Sequence, residues 1–399
     1  MNTKQKALSL TVAALLLATG AGAQKTDGTF NPIEHAVISQ TIAPDARSAG
    51  MGDVGAATDP DVNSQAWNIA KYPFCISRAG VALNYTPWLR QLVNDIDLAY
   101  LAGYYRVGDY GALSGSLRYF SLGEVYMGES ENAMTINPYE MSLDFGYSQM
   151  LSETFSLGVA VRWIYSDLRY EYENDAEPAS AFAADLGMYY NNYLMLGQRE
   201  CQLGLGLSLS NIGSKITYFG DEESQFLPAN MRLGASLMIP VDEYNRFTIA
   251  ADANKLLVPT VPTMQQFIDD ELGGNSEAYN ASEYEAYVRS NYSDMSSISG
   301  IFKSFNDAPG GFKEELEEVQ WSLGAEYIYH DQFTIRAGYH HESESKGNRK
   351  YFTVGGGFRM NVFSLDVGYV ISTAQTNPLD QTLRFTLAFD MDGIKDLFK

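Results

Sequence analysis

Toward the C-terminus, Leu383, Phe385, Leu387 and Phe389 alternate with Thr382, Arg384, Thr386 and Ala388. Side chains on a strand point to opposite faces in turn, so this stretch has one wholly apolar face and one small or polar face. The pattern returns in Met141, Leu143, Phe145 and Tyr147, in Leu203, Leu205, Leu207 and Leu209, and in Phe363, Leu365, Val367, Tyr369 and Ile371. A water-soluble sandwich also alternates, but charge covers its outer face. Here the residues opposite the apolar ones are Gly, Ser and Thr with an occasional Arg or Asp. That suits a crowded lumen with lipid on the other side.

Fourteen such segments are expected near 74–86, 94–107, 111–121, 138–150, 155–167, 179–190, 200–211, 228–239, 247–256, 318–329, 333–342, 349–360, 363–372 and 380–389. Their connections alternate in length. Residues 107–110, 151–154, 330–332 and 361–362 are short links, whereas 121–137, 167–178, 212–227 and 343–348 are long. The link at 191–199 is looser than the rule. Short periplasmic turns against long external loops is the arrangement of outer-membrane barrels, and an even strand count places both ends in the periplasm. The expected fold is therefore an all-β, transmembrane antiparallel barrel of about fourteen strands, spanning 74–389. The 27 Tyr, 20 Phe and 35 Gly fit aromatic girdles and close-packed strands.

The first residues agree on the compartment. Lys4 and Lys6 precede an apolar run at 7–17 that is too short to span a bilayer, and Ala21-Gly22-Ala23 supplies a small-x-small cleavage pattern. Residues 1–23 read as an export signal, leaving Gln24 first. The formal charge of −22 becomes −24 once Lys4 and Lys6 leave. Such acidity argues against nucleic acid and against simple adhesion to anionic lipid.

Two segments lie outside the ladder. Residues 24–73 contain Ala46, Ser48, Ala49, Gly50, Gly52, Gly55, Ala56 and Ala57. Small residues allow close backbone approach, as in a plug inside a barrel mouth, although Gly-rich tails share this composition. Arg47, Gly50, Gly52, Trp67 and Asn68 are the expected plug residues. Residues 257–317 form one outsized external insertion with helix-like pieces at 264–272 and 312–316 and a turn at Pro309-Gly310-Gly311. Loops of that length are functional or disordered.

No catalytic or metal constellation is visible. Ser208 and Ser236 lie on expected strands without a G-x-S-x-G elbow. His340 and His341 point to opposite faces of one strand, and with His35 and His330 read as polar surface residues. Asp59-Pro60-Asp61 and Asp390-Met391-Asp392-Gly393 lack the other ligands of a calcium loop and read as solvated carboxylates, as do Asp95 and Asp97. Cys75 and Cys201 sit on opposite walls, too far apart to pair. No cofactor is implied. The loops do carry aromatic and apolar side chains expected to be exposed: Trp88 and Leu89 on the first, Tyr218, Phe219 and Phe226 before the eighth strand, and Ile301, Phe302 and Phe305 in the insertion. Such residues beside acids serve as partner anchors, and an interfacial girdle accounts for others, with Trp88 open to either reading.

The run Pro44-Asp45-Ala46-Arg47-Ser48-Ala49-Gly50-Met51-Gly52, with Ala56-Ala57-Thr58 and Asn63-Ser64-Gln65-Ala66-Trp67-Asn68-Ile69-Ala70-Lys71, resembles the N-terminal signature of the PorV family. These are outer-membrane barrels of the type IX secretion system, similar to FadL-type fatty-acid transporters. Residues 300–312, from Gly300 through Phe305 to Phe312, carry the same likeness. The resemblance implies a fourteen-stranded barrel with an N-terminal hatch. It also implies a carrier that receives the C-terminal signal domains of secreted cargo at the translocon barrel and presents them to a PorU-type sortase and attachment complex. Lipopolysaccharide deacylation is associated with the family, and this sequence offers no nucleophile for it. FadL-type hatches have Asn-Pro-Ala where Asn68-Ile69-Ala70 stands, which argues against a hatch-kink lipid path. Residues 390–399 run past the last strand and are expected to form a periplasmic tail.

Overall fold

The computed structural model describes residues 30–90, 93, 95–127, 134–168, 177–218, 224–360, 362–373 and 381–391. The expected export signal, Phe219 and most of the expected C-terminal tail lie outside these residues.

Fourteen strands close into one antiparallel barrel: β1 Ala79–Pro87, β2 Asp97–Val107, β3 Gly111–Ser121, β4 Tyr139–Ser152, β5 Phe155–Asp167, β6 Ala179–Leu196, β7 Arg199–Gly213, β8 Asn230–Pro240, β9 Asn245–Leu256, β10 Gln320–Tyr329, β11 Phe333–His341, β12 Lys350–Arg359, β13 Phe363–Ser372 and β14 Leu383–Asp390. Each strand pairs with the next, and β14 returns to β1 from Gly80↔Asp390 to Tyr85↔Phe385. Closure leaves no edge inside the hydrocarbon, where an unpaired backbone would go unsatisfied. No helix among the described residues is long and apolar enough to cross a membrane.

The two-residue repeat sorts the side chains. Leu83, Leu113, Phe145, Val161, Phe182 and Ile335 point outward and are exposed, whereas Ser116, Asp144, Arg162, Ser236 and Arg384 point inward and are buried. Phe155 and Tyr165 bound the apolar stretch of β5 and lie ten positions apart. At roughly 3.3 Å per residue and a tilt of about 40°, that gives a band of about 25 Å, the height of an outer-membrane hydrocarbon layer. Tyr119, Tyr139, Tyr165 and Trp163 stack in series along one rim of this band.

Three expectations change. First, the 191–199 link is not a loop: Leu196 pairs with Arg199, and Asn191 and Asn192 continue β6 opposite Gly204 and Leu203. Second, β1 starts at Ala79, because Ile69–Phe74 forms a 3-10 turn packed inside the barrel. Third, only the ladder has both ends on the turn side. The described N-terminal segment starts at the opposite mouth, where the Asn31 amide donates to Ser345 O in the loop between β11 and β12 (2.6 Å). It then descends through the lumen to reach β1.

Candidate functional site

The descending segment is built to fill a polar lumen. At the loop mouth the Ser39 amide donates to Glu140 (2.9 Å), and Arg118 donates to the Ser39 and Ile42 carbonyls (2.6 and 2.9 Å). Asp45 caps the turn Ala46–Ala49 and accepts from Trp67 Nε1 (2.5 Å). The guanidinium of Arg232 lies over the Trp67 ring. Gly50 approaches Gly355, and Gly52, at φ +72°, passes so close to Tyr339 that a Cβ would lie 2.7 Å from its backbone. Asn68 donates to Ala56 O and to Met188 O of β6 (3.0 and 2.9 Å). The structure thus brings Arg47, Gly50, Gly52, Trp67 and Asn68 together in one packed interior.

Ion pairs lock this interior to the wall. Arg47 spans Glu326 (3.0 Å) and Asp61 (2.9 Å), so Asp61 is an ion-pair partner and not the solvated carboxylate expected. Arg336 holds Glu326 and Asp366, both at 2.6 Å. Arg162 holds Asp144 (2.7 Å) and Asp185 (2.8 Å), and Arg384 holds Asp53 (3.0 Å). Across the closing seam runs a chain of hydrogen bonds: Ala46 N to Thr386 Oγ1 (2.8 Å), Thr386 Oγ1 to Asn84 Oδ1 (2.6 Å), and Asn84 Nδ2 to Asn63 Oδ1 (2.8 Å). Buried charges stay only when paired and hydrogen-bonded, and these are. A polar cavity of about 90 Å³ lies toward the loop mouth, bordered by Gln40, Trp67, Arg118, Arg232, Asn254 and His340.

The loop aromatics divide into two groups. Trp88, Leu89, Tyr218 and Phe226 are buried, contrary to the exposure expected of them. Ile42 packs in a cluster with Trp88 and Leu89, and Ala36 and Val37 in another with Tyr218. Phe226 meets Tyr292 edge-on (5.2 Å). The burial of Trp88, Leu89 and Tyr218 comes from the N-terminal segment passing under these loops, and that of the Phe226 ring from Tyr292 and Gly300 of the insertion. In the insertion, Ile301 is half-buried, while Phe302 and Phe305 are exposed at 73% and 47%. Sequence reasoning missed Ile298, Phe312 and Leu316, also exposed. The helices Ser297–Lys303 and Phe312–Glu317 each turn an i, i+4 apolar pair outward, Ile298 with Phe302 and Phe312 with Leu316. That spacing was the available signal.

A buried network seats the insertion on the mouth. Lys255 of β9 binds Glu318 (2.5 Å) and Glu315 (3.1 Å), and Lys346 binds Glu314 (2.6 Å) and Glu318 (3.0 Å). Glu315 accepts from the Asp307 and Ala308 amides (2.7 and 2.9 Å), and Glu314 from Asn31 (3.0 Å). Burial, reinforced by the Glu318 and Glu315 carboxylates, pushes Asp307 up to about 7.

Among the described residues, one serine hydroxyl meets a histidine: Ser322 Oγ lies 2.9 Å from His340 Nδ1. Ser322 is 1% exposed and does not border the polar cavity, so its hydroxyl is a buried polar group. His340 is likewise interior and stacked on Tyr351, not the surface residue expected, whereas His341 stacks outside on Trp321. Cys75 and Cys201 are free and buried.

A closed antiparallel barrel with an outward apolar band and an ion-paired polypeptide interior defines the class: an integral outer-membrane β-barrel occupied by its own N-terminal segment. Residues 24–263 match the family model for type IX secretion system protein PorV, and the chain belongs to that family. No curated protein matches it. Among solved structures it is similar to the Pseudomonas putida toluene transporter TodX, at 11% identity over 86% of this chain and 96% of that one (TM-score 0.49). It is also similar to the CymD monoaromatic hydrocarbon channel, at 12% over 87% and 96% (0.45), and to a Pseudomonas aeruginosa FadL homologue, at 11% over 87% and 98% (0.39).

Proposed function

We propose that this chain is a cargo-handling barrel of the type IX secretion system. Its loop-end surface receives the C-terminal signal domains of secreted proteins at the translocon barrel and carries them to a PorU-type sortase and attachment complex. Lipid and lipopolysaccharide surround the wall, and residues 24–73 serve as the plug. The observation that carries the reading is the pair of outward apolar ridges, Ile298–Phe302 and Phe312–Leu316, on an insertion anchored by Lys255 and Lys346. Exposed apolar residues on a fixed base suit partner capture. Transport of hydrophobic molecules gains no comparable support, since a route down the lumen must pass Arg162, Arg336 and Arg384 with their carboxylates. Deacylation gains no support from the Ser322–His340 pair, whose hydroxyl is buried.

The test is the double substitution Phe302→Asp with Phe312→Asp. Barrel level and heat-modifiable migration should stay unchanged while surface-attached cargo falls at least tenfold. Undiminished attachment refutes the assignment.

A further inference from the structure

β6 is the longest strand of the barrel at eighteen residues. On one side it pairs with β7 as far as Leu196↔Arg199. On the other, its ladder with β5 stops at Phe155↔Tyr190, and the last backbone bond runs from the Asn191 amide to Thr154 O (2.8 Å). Among the described residues, 192–196 therefore have a strand on one side only.

The alternation that aims the Asn191 amide at β5 aims the backbone groups of Tyr193 and Met195 the same way. Asn192 Oδ1 accepts from the Tyr193 amide (2.9 Å), which leaves the Tyr193 carbonyl and both Met195 groups facing the open side. Phe155 and Tyr190 stand opposite each other on the outer face, at the turn-side limit of the apolar band. The edge thus lies beyond the hydrocarbon, where unpaired backbone is tolerated.

Natural edges are usually guarded by charge, proline or a bulge. Residues 191–198 have neither charge nor proline in a chain of net charge −22. Tyr193, Met195 and Leu196 are 58%, 63% and 48% exposed.

We propose that residues 192–196 form a docking edge for an extended, uncharged polypeptide segment. The segment belongs to a soluble protein on the turn side, periplasmic by the rule that short turns face inward, and joins β6 as one more strand. The open edge is about 17 Å long at roughly 3.3 Å per residue, enough for a short strand. Apolar side chains at alternate positions of the incoming segment would cover Tyr193 and Met195. A second copy does not fit. Two barrels in one membrane share an orientation, so the two-fold relating them runs along the membrane normal. Strands tilted about 40° from that axis then cross at about 80° instead of aligning.

The test uses the full-length barrel in detergent and a blocked, fluorescently labelled heptapeptide of alternating Thr and Val. Binding should saturate, and hydrogen exchange at the Met195 amide should slow at least tenfold. Met195→Pro removes the amide from the open side and should weaken binding at least tenfold, whereas Met195→Ala keeps the amide and should stay within threefold. Both variants must keep heat-modifiable migration. If the proline variant does not assemble, Met195→Lys replaces it with the same expected loss. Absence of amide protection at saturating peptide, full binding by the Pro or Lys variant, or disulfide-linked dimers of Met195→Cys in native membranes would each overturn the proposal.

Discussion

Replacing Glu326 by Gln isolates the contact that joins the interior segment to the wall. Glu326 is 1% exposed and accepts from Arg47 Nε (3.2 Å), Arg47 Nη2 (3.0 Å) and Arg336 Nε (2.6 Å). Removing one partner of a buried ion pair costs about 3–5 kcal/mol, because the other charge stays desolvated. Here Arg47 keeps Asp61, Arg336 keeps Asp366, and the Gln carbonyl still accepts one hydrogen bond. The low end applies, about 3 kcal/mol, or roughly two powers of ten in the folding equilibrium. Reversible guanidinium unfolding of the reconstituted barrel, followed by Trp fluorescence, measures it. The Arg47→Gln variant and the double variant complete a cycle whose coupling should reach about 1 kcal/mol or more. A loss within about 0.5 kcal/mol, or strict additivity, would refute the view that this contact holds the interior in place.

Three other outcomes are expected. Gly338→Val places a side chain on the Met51 carbonyl, so the 46–57 segment cannot seat and the yield of closed, heat-modifiable barrel should fall at least tenfold; a native-level yield counts against that packing. Asp307 is held protonated up to about 7, well above its unfolded value, so its contribution to seating the insertion is present at low pH and lost as pH rises toward 7. Hydrogen exchange at Thr260, whose amide donates to Asp307 (2.8 Å), should be slower at pH 6 than at pH 8 after correction for intrinsic rate, and Asp307→Asn should remove the difference. Burial pushes the Cys75 thiol up to about 12, so it should resist iodoacetamide at pH 8 until the barrel is unfolded.

The wall was legible in the sequence because each strand states its own two faces. Arg384 already stood on the polar face, but its partner Asp53 lies in the interior segment. The 191–199 link was misjudged because Asn191, Asn192 and Gly197 carry turn chemistry; pairing with Leu203 and Gly204 overrides that local preference. Trp88 and Tyr218 looked like exposed anchors because nothing local indicates that residues 36–42 lie beneath them. Phe312 and Leu316 could have been found from helical spacing alone. Glu315 and Glu318, in a run of acids, gave no hint of two buried lysines.

The passage of the chain from loop mouth to turn mouth before β1 also constrains how the molecule can be made. A segment bound by so many wall residues cannot be fed into a finished cylinder through either opening. Synthesis delivers it first, and β14 arrives last to meet β1. The Ala46–Thr386–Asn84–Asn63 chain can form only at that final meeting, so a barrel whose cargo of backbone is misplaced should fail to zip shut rather than fold empty.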